Sequence, residues 1–264
     1  MKELILIKLG GSVITDKSKE FTSREDNILR LAKEIKEAQK VFKGKLIIGH
    51  GGGSFPHTPA AKYQTKKGII DGKSVYGAAL VEDAARRLNM IVVNGFLSQN
   101  LPVFTFAPSS FLISDALVCS KSYLDPLIKA LEVGIIPIVY GDVVMDKKQG
   151  FTIFSTEKVL AVLAKEFGKE YKIRMIYVTN VDGVYDDRGK TIPEITNKNF
   201  DRIKISILGS GGIDVTGGML HKVQEALDLA GKINVVTQII NGNRSGSLKN
   251  AISGKKVVGT TIRK

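Results

Sequence analysis

The sequence has little cysteine: Cys119 is the only one in 264 residues. A single thiol excludes an internal disulfide and any cysteine-rich metal site. Cysteine behaves mostly as a small hydrophobe, so we interpret Cys119 as a buried side chain and not as a reactive thiol. A chain without disulfides is typical of a reducing compartment, and we expect a cytoplasmic protein.

Long apolar runs are also absent. The run from Leu4 to Leu9 is interrupted by Lys8 and followed by Gly10 and Gly11, far short of the roughly 18 residues that a membrane-spanning helix needs. The same run is too short for a secretory signal, and no small-residue cleavage site follows it. We therefore expect a soluble chain without a leader and without a membrane partner.

Two common nucleotide-binding motifs are missing as well. The chain has no Walker loop, in which glycine, four residues, glycine and lysine precede Ser or Thr. It also lacks the glycine-x-glycine-x-x-glycine pattern after its first predicted strand, which argues against a Rossmann oxidoreductase.

Charge is abundant and one-sided. Lysine and arginine number 39 against 26 acidic residues, which gives a net charge of +13 and a pI near 9.6. The basic residues are spread along the chain, with no run of five and no segment interleaved with aromatics. This pattern favours a solvated basic surface that attracts anionic substrates. A nucleic-acid-binding module is the alternative, and it predicts affinity that falls steeply with salt.

Short apolar strands alternate with helical patterns along the chain. Such an order implies right-handed crossovers and a mainly parallel sheet covered on both faces, in an α/β fold. Thr22 and Glu25 resemble a capping box before a helix whose apolar face includes Ile28 and Leu31. The predicted strands are 4–9, 46–48, 102–106, 135–140, 173–179, 235–240 and an edge strand at 257–262. The other predicted helices are 75–98, 123–133, 155–167 and 217–230, and a hairpin turn is predicted at 146–150.

Neither a low-complexity linker nor an internal repeat divides the chain. We expect a single domain, residues 1–264, made of two lobes of one continuous sheet that meet near 137–154. The N-terminal lobe covers about 1–140 and the C-terminal lobe about 141–264.

Four glycine-rich turns follow predicted strands, where open α/β sheets bind their ligands. They are Lys8-Leu9-Gly10-Gly11-Ser12, His50-Gly51-Gly52-Gly53-Ser54-Phe55-Pro56-His57, Thr179-Asn180-Val181-Asp182-Gly183-Val184-Tyr185, and Asp214-Val215-Thr216-Gly217-Gly218-Met219 before a helix with Lys222. Glycine lets backbone N–H groups approach an anion, and lysine neutralises it. Phosphoryl transfer needs this combination, because its catalysis consists mostly of positioning and stabilising phosphate charge.

These motifs resemble the amino-acid-kinase superfamily, and the likeness runs from Lys8 to Thr260. Within it, the loop ending at His57, the stretch 214–219 and Ile240-Asn241-Gly242-Asn243 resemble isopentenyl phosphate kinases most. The resemblance implies a three-layer αβα sandwich whose N-terminal lobe binds the acceptor and whose C-terminal lobe binds ATP with Mg²⁺. It also implies a kinase that converts isopentenyl phosphate to isopentenyl diphosphate, without a nucleic-acid partner. A homodimer is expected because dimers are the commonest soluble assembly.

The resemblance also assigns residue roles. Lys8, Lys17, His57 and Glu157 are the catalytic candidates: Lys8 contacts the transferring phosphoryl group, Lys17 the nucleotide phosphates, and His57 the acceptor phosphate. His50 braces the loop. The acceptor-binding candidates are Gly11, Gly52, Gly53, Ser54 and His57; the nucleotide-binding candidates are Lys8, Gly10, Lys17, Thr179, Asp182, Gly183, Gly217, Gly218 and Lys222. No protein ligand to a metal is assigned.

Three positions depart from the family pattern. Relatives have Ser-Gly-Asp-Asp where this chain has Ser155-Thr156-Glu157-Lys158, so the carboxylate that orients the catalytic lysine is one methylene longer. Pro56 stands where relatives have glycine, and proline removes a backbone N–H. Asn180 replaces an aspartate that many relatives have.

The acceptor's tail and two other functions stay open. Six residues are expected to line an apolar pocket for the tail or to pack in the core: Tyr76, Leu80, Leu88, Ile91, Val92 and Phe96. A different small anionic acceptor, such as a phosphonate for a fosfomycin-kinase-like enzyme, is one alternative. A catalytically weakened nucleotide-binding paralogue is the other.

Overall fold

The computed structural model describes residues 2–209 and 215–264, and it describes side chains for all of these except 205–209 and 215–217. Its strands are β1 (Lys2–Leu9), β2 (Lys45–His50), β3 (Val103–Thr105), β4 (Leu112–Asp115), β5 (Val118–Ser122), β6 (Ile136–Tyr140), β7 (Asp142–Asp146), β8 (Gly150–Phe154), β9 (Tyr171–Thr179), β10 (Glu194–Ile195), β11 (Val236–Asn241) and β12 (Gly259–Ile262).

The helices cover the connections between these strands. They are α1 (Gly11–Ile14), α2 (Glu25–Ala38), α3 (His57–Lys62), α4 (Ser74–Ser98), α5 (Pro108–Phe111), α6 (Asp125–Glu132), α7 (Thr156–Phe167), α8 (Phe200–Gly209), α9 (Val215–Ile233) and α10 (Ser247–Ile252). A short 3₁₀ helix at Thr65–Lys67 lies between α3 and α4.

The main sheet has eight described strands in the order β10-β12-β11-β9-β1-β2-β6-β3. Among these strands only β11 and β12 pair antiparallel. The strands that precede residue 141 form one half of the sheet and those that follow residue 170 form the other, and the halves join where β1 pairs with β9. The predicted mainly parallel sheet is confirmed. The predicted edge position of 257–262 is wrong, because β12 lies between β11 and β10.

Strand β1 is central because its apolar side chains face both layers of helices. Leu4 and Leu6 belong to a core that includes Leu160 of α7, whereas Ile5 belongs to a second core with Leu31 of α2. All five side chains are fully buried. A strand that is covered on both faces reads as a continuous apolar run, as Leu4-Ile5-Leu6-Ile7 does. The three-layer αβα sandwich is thus confirmed.

A second, smaller sheet stands beside the first, with four described strands in the order β5-β4-β7-β8. The predicted hairpin is confirmed, since β7 and β8 pair antiparallel around the turn at 146–150. Val143 and Phe151 of this hairpin pack against Ala78 and Val81 of α4. The small sheet therefore packs on α4 through its β7-β8 hairpin.

Several local predictions need correction. Thr22 donates its hydroxyl to the Glu20 carbonyl and does not cap α2, which begins at Glu25 behind Arg24. The helical face itself is confirmed, because Ile28 and Leu31 are buried. Cys119 is only half-buried, and partial burial raises the pKa of its thiol.

Of the two roles expected for the six tail-pocket candidates, core packing is confirmed for three. Leu88, Val92 and Phe96 are fully buried in the core against α2, because they lie on the inner face of α4. Tyr76 is instead 64% exposed. Among the described residues, no helix is long and apolar enough to cross a membrane.

Candidate functional site

A cavity of about 690 Å³ lies at the carboxyl ends of β1, β2 and β9. These strands are parallel neighbours, so the loops that follow them meet at one edge of the sheet. The beginning of α7 and the α9 turn with Gly218 and Lys222 complete the lining. The cavity thus gathers residues from both halves of the sheet.

The first two glycine loops are packed against each other, backbone to backbone. A Cβ added at Gly11 would lie 2.5 Å from the Gly53 nitrogen, and one added at Gly53 would lie 2.1 Å from Thr15 Oγ1. Gly53 also has φ near +56°, which side chains other than glycine adopt at a cost. The Gly10 N–H donates to the Val178 carbonyl at 2.8 Å. Glycine is required here for close approach as well as for turning.

The loop after β2 presents backbone donors to the cavity. Gly52 and Gly53 line it, and within the described part of the chain their N–H groups have no protein acceptor. Unpaired N–H groups that face a concave surface bind anions. The proline at 56 lies close by: a Cβ on Gly52 would meet the Pro56 ring carbon Cγ at 2.3 Å. Pro56 thus occupies the space that a side chain at 52 would need.

Lys8 and Glu157 form an ion pair on the cavity floor. Lys8 is the penultimate residue of β1, Glu157 lies in the first turn of α7, and the Lys8 ammonium donates to Glu157 Oε1. Burial alone would raise the pKa of Glu157, but the adjacent Lys8 ammonium holds it below its usual value. The carboxylate is therefore ionised at neutral pH and fixes the direction of the Lys8 side chain.

Two further lysines face the same space. Lys222 is half-buried; burial and the repulsion of Lys8 lower its pKa, and Glu157 opposes this effect. Lys17 also lines the cavity and contributes to the lowered pKa of Lys222. Three lysines that repel one another around one carboxylate leave positive charge uncompensated, so the cavity is built for an anion.

His57 lies at the other side of the cavity, at the start of α3. His57 is exposed overall, but partial desolvation of its ring and the nearby Lys17 ammonium lower its pKa, so the imidazole is neutral at pH 7 in the free protein. A bound phosphate would oppose both effects.

His50 has a different place. It is buried and stacks on Tyr140, its Nε2 lies 3.2 Å from Asn89 Oδ1, and its carbonyl accepts the Thr156 hydroxyl at 2.6 Å. His50 is thus a structural residue beneath the loop, as predicted.

The end of the cavity beside α4 is apolar. Ala60, Val81 and Ile153 line it, together with the ring of Pro56. Asp142 lies next to them, buried, and accepts the Ser109 N–H at 3.0 Å; burial raises the pKa of its carboxyl. None of these wall residues was predicted. Their positions follow from the packing of the hairpin on α4, which no local pattern reports.

Most predicted site residues do line the cavity. The lining includes Lys8, Gly10, Gly11, Lys17, Gly52, Gly53, His57, Glu157, Thr179, Gly218 and Lys222. Residues 210–214, with Asp214 of the fourth turn, lie outside the described residues, and so do the surroundings of Gly217. The role of each residue remains a prediction.

Three predicted residues lie away from this lining. Ser54 borders an adjoining recess and receives the Thr22 N–H at 3.3 Å. Asp182 pairs with Arg244 and accepts the Asn241 side-chain amide at 2.8 Å. Gly183 has φ near +140° and packs against Thr260. A Cβ added at Gly183 would lie 2.5 Å from Thr260 Oγ1. These contacts hold the three residues outside the lining, and their roles in binding stay predictions.

The parallel sandwich and the glycine-lined, lysine-rich cavity together define a small-molecule phosphotransferase. The model of the amino acid kinase family matches residues 3–241, and the chain belongs to this family. Curated isopentenyl phosphate kinases from Methanocaldococcus jannaschii and Methanothermobacter thermautotrophicus are 35% and 34% identical to it, each over 98% of both chains. A crystal structure described as isopentenyl phosphate kinase is similar with a TM-score of 0.82 and 31% identity, covering 98% of this chain and 100% of that one.

Proposed function

We propose that the protein transfers the γ-phosphoryl group of ATP to isopentenyl phosphate and forms isopentenyl diphosphate, a step in isoprenoid precursor synthesis. The observation that supports this best is the division of one cavity into a cationic, N–H-rich floor and an apolar end. Lys8, Lys222 and Gly52 belong to the floor, and Val81 and Ile153 to the apolar end. A phosphate monoester with a short hydrocarbon tail matches both parts. The similarity to isopentenyl phosphate kinases supports the same acceptor.

The two ligands are proposed to enter from opposite halves of the sheet. The acceptor is placed in the N-terminal lobe, about 1–140, because the loop of Gly52, Gly53 and His57 adjoins the apolar wall. ATP is placed in the C-terminal lobe, about 141–264, where Thr179, Gly218 and Lys222 line the cavity. Lys8 lies in β1, which joins the halves, and Gly10 follows that strand directly, so the reacting phosphates are proposed to meet over the end of β1.

In the proposed reaction an oxygen of the acceptor phosphate attacks the γ-phosphorus of ATP. The bond from that phosphorus to the β,γ-bridging oxygen breaks, and ADP leaves with the electron pair. Lys8, held by Glu157, stabilises the negative charge on the transferring group, and Lys17 and Lys222 neutralise the nucleotide phosphates. Catalysis then consists of bringing two polyanions together, which the uncompensated lysines favour.

Mg²⁺ is proposed to arrive with ATP. Within residues 2–209 and 215–264 no cluster of three or more His, Cys, Asp or Glu side chains is placed to hold a metal ion. Magnesium commonly depends on substrate phosphates for its ligands, where it neutralises the β- and γ-oxygens.

An ADP-release assay with isopentenyl phosphate, dimethylallyl phosphate, fosfomycin and UMP tests this proposal. We expect isopentenyl phosphate to give the highest kcat/KM. Faster turnover of fosfomycin would identify the phosphonate alternative instead. ATP binding in a calorimeter without acceptor-dependent ADP release would contradict catalysis and favour the weakened paralogue.

We further propose a cytoplasmic homodimer. Strand β3 is at the edge of the main sheet and pairs with β6 alone among the described strands. Phe104 of β3 is 58% exposed, and Met90 and Leu97 of the neighbouring α4 are also exposed. Open edges and exposed apolar side chains are typical of surfaces that a second chain covers.

A further inference from the structure

Four large apolar side chains are exposed between the end of α3 and the first turn of α4. Ile69 and Ile70 are 57% and 47% exposed, and Val75 and Tyr76 are both 64% exposed. They occur within eight consecutive residues, next to a shallow depression lined by Tyr63 and Tyr76. Single exposed apolar residues are ordinary on proteins, whereas a group of this kind indicates a surface that something covers.

Six exposed lysines surround this group. Four of them lie from the last residue of α3 to the residue before α4: Lys62, Lys66, Lys67 and Lys73. The other two are Lys147 and Lys148, at the tip of the β7-β8 hairpin. We call residues 62–76 and 147–149 together the lysine-apolar face. Asp71 is its one acidic residue in the sequence, and the net charge of the face is +5 at neutral pH.

The two parts of the face are held together by hydrogen bonds. The Ile69 N–H donates to the Gln149 carbonyl at 2.9 Å, and the Gln149 side-chain amide donates to the Lys66 carbonyl at 3.2 Å. The rings of Tyr63 and Tyr76 meet edge to face with centroids 6.4 Å apart. The lysines and the apolar side chains therefore form one surface instead of two independent loops.

This surface adjoins the catalytic cavity through two helices. Helix α3 begins with His57, which lines the cavity, and ends with Lys62 on the face. In α4, Tyr76 on the face precedes Val81 of the apolar wall. Each pair is separated by about 7.5 Å of helical rise. The face thus lies on the outside of α3 and α4, and the apolar end of the cavity lies on their inside.

We propose that the lysine-apolar face docks the protein on the surface of anionic lipid bilayers. The aliphatic side chains enter the boundary between headgroups and acyl chains, and the lysines pair with lipid phosphates. Such a protein lies on the membrane and needs no spanning helix. The expectation of no membrane partner rested on the absence of a spanning segment, so it does not apply to this mode. If the proposed function holds, an acceptor with an apolar tail can reach the cavity from the same surface.

A bilayer fits the face better than a nucleic acid or an acidic protein does. Single-stranded nucleic acids are bound mainly by aromatic stacking and arginine. Three of the four exposed apolar side chains, Ile69, Ile70 and Val75, cannot stack on bases, and the fourth, Tyr76, already packs edge to face on Tyr63. The face has lysines and no arginine in 62–76 or 147–149. Lysine side chains are flexible and can pair with lipid phosphates at many positions. An anionic bilayer has its charge spread evenly over its surface, so it does not require the lysines around the aliphatic side chains to be fixed in place.

Vesicle flotation with the full-length protein tests the proposal. We expect binding to vesicles rich in phosphatidylglycerol at low salt, weak binding to pure phosphatidylcholine, and weakening at high salt. The double substitution Lys66→Gln/Lys67→Gln should weaken binding about 25-fold, since each lysine near the surface contributes about fivefold. Ile70→Ser/Val75→Ser should weaken it at least about tenfold by removing apolar burial.

Lys255→Gln/Lys256→Gln is the matched control, because it removes the same charge from an exposed lysine pair far along the chain. If the Lys66/Lys67 variant and the Lys255/Lys256 variant lose equal affinity for the vesicles, overall charge causes the binding and the proposal is overturned. Binding to heparin beads without binding to vesicles, or a wild-type protein that never floats, would also overturn it. All variants lie outside the proposed catalytic set, so ADP release with soluble acceptor reports separately on the proposed function.

Discussion

At the scale of single residues, Glu157 decides where the Lys8 ammonium points. Its carboxylate sits in the first turn of α7, where the helix dipole also favours negative charge. The departure from the aspartate of relatives lengthens the side chain, and the ion pair with Lys8 is nevertheless formed. The extra methylene therefore leaves the contact intact.

Glu157→Gln should lower kcat about 100-fold, because an unpaired Lys8 loses its fixed position over the transferring phosphoryl group. The KM for ATP should change by less than about tenfold, since Lys17 and Lys222 remain. Steady-state kinetics measure both values. Glu166→Gln, at the far end of the same helix, serves as the control. An unchanged kcat in Glu157→Gln would remove Glu157 from the catalytic set.

His57 should titrate below its ordinary pKa of 6.5 in the free protein, because partial desolvation of the ring and the Lys17 ammonium disfavour the imidazolium. Binding of a dianionic acceptor should raise that pKa, since the dianion stabilises the charged ring. Acceptor affinity should then increase as the pH falls through the bound-state pKa of His57 toward its lower free-protein pKa, over the pH range in which the acceptor stays dianionic. NMR titration of the imidazole measures the shift, with His57→Gln to assign the resonance.

Lys17→Gln should raise the pKa of His57 in the free protein by removing the repulsion. A free-protein pKa above 6.5, or no change with acceptor, would contradict the proposed contact between His57 and phosphate.

At the scale of elements, the loop after β2 depends on the space shared by Gly52 and Pro56. A Cβ at Gly52 would meet the proline ring at 2.3 Å. The proline at 56 is thus accommodated by a glycine four residues earlier. This pairing explains how the loop retains its position against the cavity with a proline before His57.

Gly52→Ala should raise the acceptor KM at least about tenfold, because the added methyl group displaces Pro56 and with it His57. In the double variant Gly52→Ala/Pro56→Gly the clash is absent, so most of the affinity should return. The coupling between the two sites is read from a double-mutant cycle of KM values. If the effects of Gly52→Ala and Pro56→Gly on the acceptor KM are independent, the proline ring does not transmit the displacement to His57.

The long elements could be predicted from sequence because their patterns are local. The apolar run of β1 and the helical periodicity of α4 depend only on neighbouring residues. Strands β4, β5 and β10 were missed for two reasons. Strand β10 has two residues and pairs with β12, far along the chain. Strands β4 and β5 pair with each other around Ala116 and Leu117, which adopt positive φ without the glycine or asparagine that usually indicates such a turn. In the same way the lysines and glycines of the cavity could be predicted, and Val81 and Ile153 could not. Their side chains meet only when the β7-β8 hairpin packs on α4.

At the scale of the whole molecule, the proposed dimer would cover the open edge at β3. The strand is three residues long, and its outer side has no partner among the described strands. Covering Phe104 would remove an exposed aromatic ring from water, which favours association.

Phe104→Glu should halve the mass in solution from twice 28.7 kDa to 28.7 kDa, because a charge at the interface opposes burial. Light scattering coupled to size exclusion measures the mass. Val118→Glu, at an equally exposed apolar site on β5, should leave the dimer intact. A wild-type protein that elutes at 28.7 kDa would contradict the proposal.

The contact between Gly11 and Gly53 also bears on how such enzymes can be re-engineered. The two loops follow different strands yet share one interface, in which the backbone at Gly11 and the Thr15 side chain pack against Gly53, so the shape of each loop depends on the other. A loop transplanted from a relative into positions 50–57 would not fit against the turn at 10–15 of this chain. Under the proposed function, acceptor specificity is a property of the loop pair, and both segments should be exchanged together when a new acceptor is sought.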